Sequence, residues 1–126
     1  MTMVHSIWYR IVESSLKSAN KRFMEQIERV KQMEQCLDKA SVAVMQLSEA
    51  LDKYVDAQEA IAKLGEYYDS EEWKQDFADD EAGRLPKDLK RGVLSEDGIW
   101  NLLSDSRELN IRMLETIVNI LKLHNG

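Results

Sequence analysis

The densest chemistry in this sequence lies between Asp69 and Arg91. Asp69 to Glu81 carries seven acids and one lysine, a net of −6, and Arg84 to Arg91 carries four bases and one acid, a net of +3. On a helix, Glu72, Asp76 and Asp80 fall four residues apart and share one face. Three carboxylates so placed are the oxygen donors that Mg²⁺ or Ca²⁺ takes, and without a cation or basic partners they destabilise the helix that carries them. They do not form an EF-hand loop: counted from Asp76, the third position is Ala78, the sixth is Glu81 instead of glycine, and the bidentate position holds Lys87. The basic run supplies a second candidate. Lys87, Asp88, Lys90 and Arg91 are candidate binding residues, and Lys87, Lys90 and Arg91 could grip a phosphate near the N-terminus of the helix that Ser95 caps. Glu96 and Asp97 oppose an anion there, and the same side chains suit a protein partner.

No catalytic constellation accompanies these clusters. His5 and His124 sit near opposite ends of the chain, and one cysteine gives no zinc spacing. Ser95 has no neighbouring base and is explained by capping. Gly83 and Gly92 do not have the spacing of a phosphate-cradling loop. No catalytic residue is assigned, and no cofactor is expected.

The elements that must position these groups are helical. The chain has 126 residues, 44% hydrophobic and 32% charged, with a single proline and only nine aromatic residues, a composition suited to one domain of long helices. With Val30 at position a, an apolar heptad pattern runs from Met24 to Leu64: a is Val30, Leu37, Val44, Leu51 and Gln58; d is Met33, Ala40, Leu47, Tyr54 and Ile61. The flanking g positions are mostly small (Cys36, Ala43, Ala50, Ala57), which suits close approach of a partner helix in a bundle or antiparallel hairpin more than a narrow two-stranded zipper. Cys36 is expected to be a buried small hydrophobe. A helix of that length spans about 60 Å. The molecule must therefore be elongated, bend, or share the stripe with a second chain, as in a homodimer or coiled coil. Upstream, residues 1–23 form a helical extension with three readings: a first helix from Val4 to Ala19 that folds back, a straight continuation, or an interfacial helix around Trp8, Tyr9, Arg10 and Lys17. Met24 would also serve as a start, so this segment can lie outside the native domain, leaving 24–126 as the helical domain.

Beyond Gly65 the pattern shortens. Ser70 is an N-cap, with Glu71 and Glu72 in the first turn of a helix that puts Trp73 and Phe77 on one face. Ala82-Gly83 ends it. Pro86 opens a short helical turn, Lys87 to Arg91, closed by Gly92. Ser95 caps the last helix, whose acids Glu96 and Asp97 lie in its first turn and where Leu94 staples onto Ile99. A second apolar stripe from Ile99 to Leu123 can lie antiparallel to the first, with residues 65–94 as an end cap held by Trp73 and Phe77. The fold class expected is all-α: a long antiparallel hairpin or small bundle with a short helical cap.

Glu72-Trp73, Asp80-Glu81, the run Leu85-Pro86-Lys87-Asp88-Leu89-Lys90-Arg91-Gly92-Val93-Leu94-Ser95-Glu96-Asp97 and then Leu102-Leu103 resemble a small bacterial family catalogued as a domain of unknown function. The resemblance covers roughly Met24 to Glu115 and is densest in the central run. Gly98 and Trp100 stand where the resemblance leads one to expect alanine and tyrosine. It implies a helical protein and brings no activity with it.

Three functions fit this sequence. The first is a non-enzymatic protein–protein interaction module whose cap, about residues 73–97, meets a partner. The second is a metal-dependent enzyme using the acidic cluster with Lys90 or Arg91 as electrophile. The third is an acidic nucleic-acid mimic that blocks a nucleic-acid-binding protein. Direct binding of nucleic acid is disfavoured by the net charge of −6. No segment has the ~18 apolar residues of a membrane span, and Arg10 and Glu13 interrupt the one apolar stretch that could resemble a secretory signal. A cytoplasmic protein with a protein partner, no nucleic acid and no membrane is the expectation; the interaction module needs no residue that the chain lacks.

Overall fold

The computed structural model describes residues 2–125, with side chains from Val4 onward; Met1 and Gly126 lie outside the described residues. The described chain is all-α. Helix α1 spans Thr2–Asp56, α2 Gln58–Tyr68, α3 Glu71–Glu81 and α4 Gly98–Asn125, with a 3₁₀ turn at Gly92–Leu94. Contacts divide the chain into two units, Met1–Lys53 and Tyr54–Gly126.

The first unit is the body of α1. It is continuous through Ser18, Ala19 and Asn20, so the fold-back reading of the first 23 residues gives way to an uninterrupted helix. Nothing in that stretch supplies the glycine, proline or cap that would stop it. The heptad residues of this unit are exposed: Leu37 by 58%, Val44 by 70% and Leu47 by 68%. Cys36, expected to be buried, is exposed with them. Its g position borders the apolar stripe, and a g residue is covered only when something covers the stripe.

The second unit holds the packing. Helix α1 gives way to α2 at Ala57, whose backbone stays near helical values (φ −76, ψ −10) and whose carbonyl still accepts from the Ile61 N–H at 3.0 Å. The break therefore falls at an alanine, while Gly65, where the heptads stop, lies inside α2. Gly65 faces α4: a Cβ there would lie 3.9 Å from Leu103, an ordinary contact, so the packing does not itself demand glycine. Helices α2 and α4 run antiparallel. Gly65 meets Leu103, and eleven residues earlier the Tyr54 hydroxyl donates to Asn110 Oδ1 at 2.6 Å and shares a hydrogen bond with Ser106 Oγ at 2.8 Å. The expected hairpin is formed here, by the last third of the first stripe against the start of the second. Leu94 and Ile99, the pair expected to staple the start of α4, are the buried apolar residues among those described, 7% and 2% exposed.

Candidate functional site

Helix α3 and the loop after it place every candidate residue of the sequence except Ser95 and its neighbours, and their local structure follows from a few side chains. Ser70 opens α3 as expected, with extended backbone and its Oγ accepting from the Trp73 N–H at 3.1 Å. The helix closes on Gly83, whose φ of 72 is left-handed and therefore favours glycine. The Gly83 N–H bonds the Asp80 carbonyl at 3.0 Å and the Arg84 N–H bonds that of Asp79 at 2.9 Å, the two bonds of a Schellman ending.

On one face of α3, Trp73 lies between two aromatic rings. Its centroid is 5.1 Å from Phe77 in a stacked arrangement and 4.9 Å from Tyr68 edge-on. Its indole N–H donates to the Val93 carbonyl at 2.8 Å, tying α3 to the 3₁₀ turn. Both Trp73 and Phe77 are mostly buried.

The acidic face meets its counter-groups within the chain. Asp76 accepts from the Tyr67 hydroxyl at 2.6 Å. Asp79 pairs with Arg84 at 3.0 Å, and Asp80 pairs with Arg91. Glu72 is exposed. Burial first, then the hydrogen bond to and the charge on Asp76, then the charge on Glu72, push the Tyr67 phenol up from 10.0 to about 12. The two carboxylates of the metal reading that lie closest to the loop, Asp76 and Asp80, are thus held by a phenol and a guanidinium. Among the described residues no group of three or more His, Cys, Asp or Glu side chains is placed to hold a metal ion.

The basic run does not form the helical turn expected of Lys87 to Arg91. Pro86 starts a tight turn instead, with the Leu89 N–H on the Pro86 carbonyl at 3.2 Å, and the chain then runs irregularly to Gly92. The reason is Arg91. Its guanidinium reaches back to Asp80 and donates to the Pro86 carbonyl at 2.7 Å, which fixes the loop against the end of α3. Gly92, expected to terminate a helix, begins the 3₁₀ turn. Lys87, Asp88 and Lys90 are exposed and form no ion pair among the described residues. Of the four candidate binding residues, the structure turns Arg91 inward and the other three outward.

Ser95 Oγ accepts from the Gly98 N–H at 3.0 Å while its own hydroxyl donates to the Gly92 carbonyl at 2.8 Å, but the N-cap place expected for it falls to Asp97, whose carbonyl accepts from the Asn101 N–H at 2.8 Å. The helical ladder starts only at Gly98, so Glu96 and Asp97 precede the first turn instead of lying in it. The tight approach explains the glycine: a Cβ on Gly98 would collide with the Gly92 carbonyl oxygen and lie 2.6 Å from Ser95 Oγ.

A feature that sequence reasoning missed lies beside this turn. Leu64 of α2, Lys90, Gly92, Val93, and Gly98, Ile99 and Leu102 of α4 line a shallow, mainly apolar cleft of ≈ 390 Å³. Leu89 and Val93 stand exposed at the same loop, and Trp100 is exposed on the first turn of α4. No periodicity marks this cleft, because it is built from a glycine-lined turn and single residues of two helices. The signal available was the excess of apolar residues in Leu85, Leu89, Val93 and Leu94 over what one short turn can bury.

The chain belongs to a family described as a domain of unknown function, DUF4298, whose model matches residues 30–116. The match takes in the second half of α1, all of the α2–α3 cap and most of α4, and leaves the first 29 residues outside. No curated protein and no solved structure matches this chain.

Proposed function

We propose that this protein is a non-enzymatic helical interaction module whose end cap, about residues 73–97 with the start of α4, receives a protein partner. The observation that supports this reading is the cleft beside the 3₁₀ turn, whose apolar floor carries the outward-facing Lys90. An apolar floor with a charge at its edge is the anatomy of a small protein-binding patch. The cation selects a partner segment that sets an apolar side chain next to a carboxylate. Lys87 lies in the same loop and adds to that preference, whereas Arg91, Asp76, Asp79 and Asp80 act within the cap. Enzymatic use of the acidic cluster finds no such support, since Asp76 and Asp80 already have partners.

Affinity capture from the native host tests this. The tagged wild-type chain is compared with a Lys87→Glu/Lys90→Glu variant and with Leu102→Asp. The reading requires a protein that is retained by the wild type and lost with both variants, at a melting temperature unchanged for the lysine pair. Equal capture by all three chains would place the partner elsewhere and refute it.

A further inference from the structure

The body of α1 in the first unit presents a long apolar face that the chain leaves exposed. Val30, Met33, Leu37, Val44, Leu47 and Leu51 are between 48% and 70% exposed along one heptad seam. Helices draw most of their stability in proteins from packing such a face. We infer that this face pairs with the same face of a second copy of the chain, in parallel and in register, as a two-stranded coiled coil; the small g residues taken alone suit a bundle or antiparallel hairpin, and the charges beside them decide otherwise. The inference is independent of the end-cap reading, which concerns other residues.

The charges flanking the seam select both the occupant and its direction. Within Thr2–Lys53, with Val30 at a, the g positions hold the bases Arg22 and Arg29 and no acid. The e positions hold the acids Glu13 and Glu34 and no base. In a parallel pair g faces the partner's e position five residues on, so Arg29 of each copy meets Glu34 of the other, twice by symmetry. In an antiparallel pair g faces g and e faces e. Whatever the register, that arrangement offers these charges no opposite partner and sets base against base or acid against acid. At Arg29 and Glu34 the chain is therefore complementary to itself in one orientation. Gln26 falls at d and would face its own copy, the kind of polar layer that fixes register. The area is also sufficient. Thr2–Lys53 is roughly 80 Å long at the α-helical rise, and a strip one helix wide, about 10 Å, covers roughly 800 Å². That is the share each partner contributes to a standard stable interface, about 800 Å².

The test uses the full chain and three readouts. Sedimentation equilibrium should give a dimer. Arg29→Glu sets two acids against each other across the seam, and Glu34→Arg sets two bases against each other. Each should weaken self-association about tenfold, and an equimolar mixture of the two variants should recover it. In a Cys36→Ser background, Leu47→Cys should oxidise to a disulfide-linked dimer, because a d residue faces its own copy in a parallel pair, while Glu49→Cys on the outer face should not. A chain that is monomeric at all concentrations, free or captured by a different protein, overturns the inference. So does a dimer that ignores the charge exchange and fails to cross-link in the Leu47→Cys variant, since its seam or direction would then be another. The charge variants lie on an exposed helix surface, so their helicity checks that any loss of dimer is not loss of the fold.

Discussion

Replacing Trp73 by alanine should cost the second unit more than any charge substitution in the cap. The residue is about two-thirds covered or more, so its removal forfeits most of the roughly 2–3 kcal/mol that full burial of such a side chain supplies. Its contacts with Phe77 and Tyr68 add about 0.5–1.5 kcal/mol each beyond area. The indole hydrogen bond to Val93 adds no more than about 1 kcal/mol, because water can reach the freed carbonyl. Together these come to about 3–5 kcal/mol, the range found for removing a packed aromatic ring. For a domain of this size that is a fall in Tm on the order of 15 °C. Trp73→Phe separates the parts, since it keeps a ring between Tyr68 and Phe77 and loses only the N–H and some area. It should cost about 1 kcal/mol. Thermal and urea melts followed by circular dichroism give both values. If Trp73→Phe proved as damaging as Trp73→Ala, the bond to the 3₁₀ turn and not the stacking would be holding the cap. If both were as mild as a surface change, the cap would not be held by its aromatics at all.

Arg91→Ala should lower stability by about 1–2 kcal/mol, because it removes the partner of Asp80 and the donor to the Pro86 carbonyl, whereas Lys90→Ala should stay within about 0.5 kcal/mol; urea midpoints of the two single variants check this. Tyr67 adds a pH dependence. Its pKa is raised in the fold, so the protonated phenol is the stabilising form, and that contribution is complete below about 10 and lost as pH climbs from 10.0 to about 12. Melting temperatures should fall across that window in the wild type and fall less in Tyr67→Phe; parallel curves would show that the Tyr67–Asp76 bond does not couple to folding. Gly83→Ala should cost about 1 kcal/mol from the left-handed backbone alone, since no atom lies within 4 Å of the added methyl. A stabilised variant, read from the same melts, would mean that α3 ends in some other way.

The parts of this fold that are legible in the sequence are those a local rule determines. Ser70 announces its cap because a short side-chain oxygen next to free helix N–H groups has one obvious use. Gly83 marks the end of α3 because its neighbours cannot adopt a left-handed backbone cheaply. The heptads from Val30 to Ile61 give helix and phase by period alone. What misleads is the assumption that an apolar stripe is a covered one. Period shows which residues share a face, and it does not show what lies on that face, so Cys36 and the g alanines look interior from the sequence. The break at Ala57 carries no sequence mark, since alanine is the best helix former. The basic run misleads for a related reason. Lys87-Asp88-Leu89-Lys90-Arg91 has good helix propensity after Pro86, but Arg91 gains two carbonyl or carboxylate partners by leaving the helix, and those contacts lie five and eleven residues away.

Those same contacts bear on how the opposed charge blocks work. Asp69 to Glu81 and Arg84 to Arg91 together have a net charge of −3, yet their ion pairs are chosen residue by residue. The pairs to Asp79 and Asp80 form across the last turn of α3, where carboxylates face the negative end of the helix dipole and are least welcome without a cation. Arg84 and Arg91 are the residues that reach them, and both are arginines, whose planar guanidinium can hold a carboxylate and a carbonyl at once. Lys87 and Lys90, which cannot do this as well, are left outside. The division between structural and available cations therefore follows side-chain chemistry. It predicts that exchanging the roles fails: Arg91→Lys should keep the charge and still loosen the loop, because a single ammonium nitrogen would have to sit near both Asp80 and the Pro86 carbonyl, which Arg91 reaches from two separate nitrogens. Amide hydrogen exchange at Leu89 and Leu94, whose N–H groups bond the Pro86 and Arg91 carbonyls at 3.2 and 3.0 Å, reads that loosening directly. Exchange in Arg91→Lys as slow as in the wild type would mean that charge alone holds the turn, and that the guanidinium geometry contributes nothing.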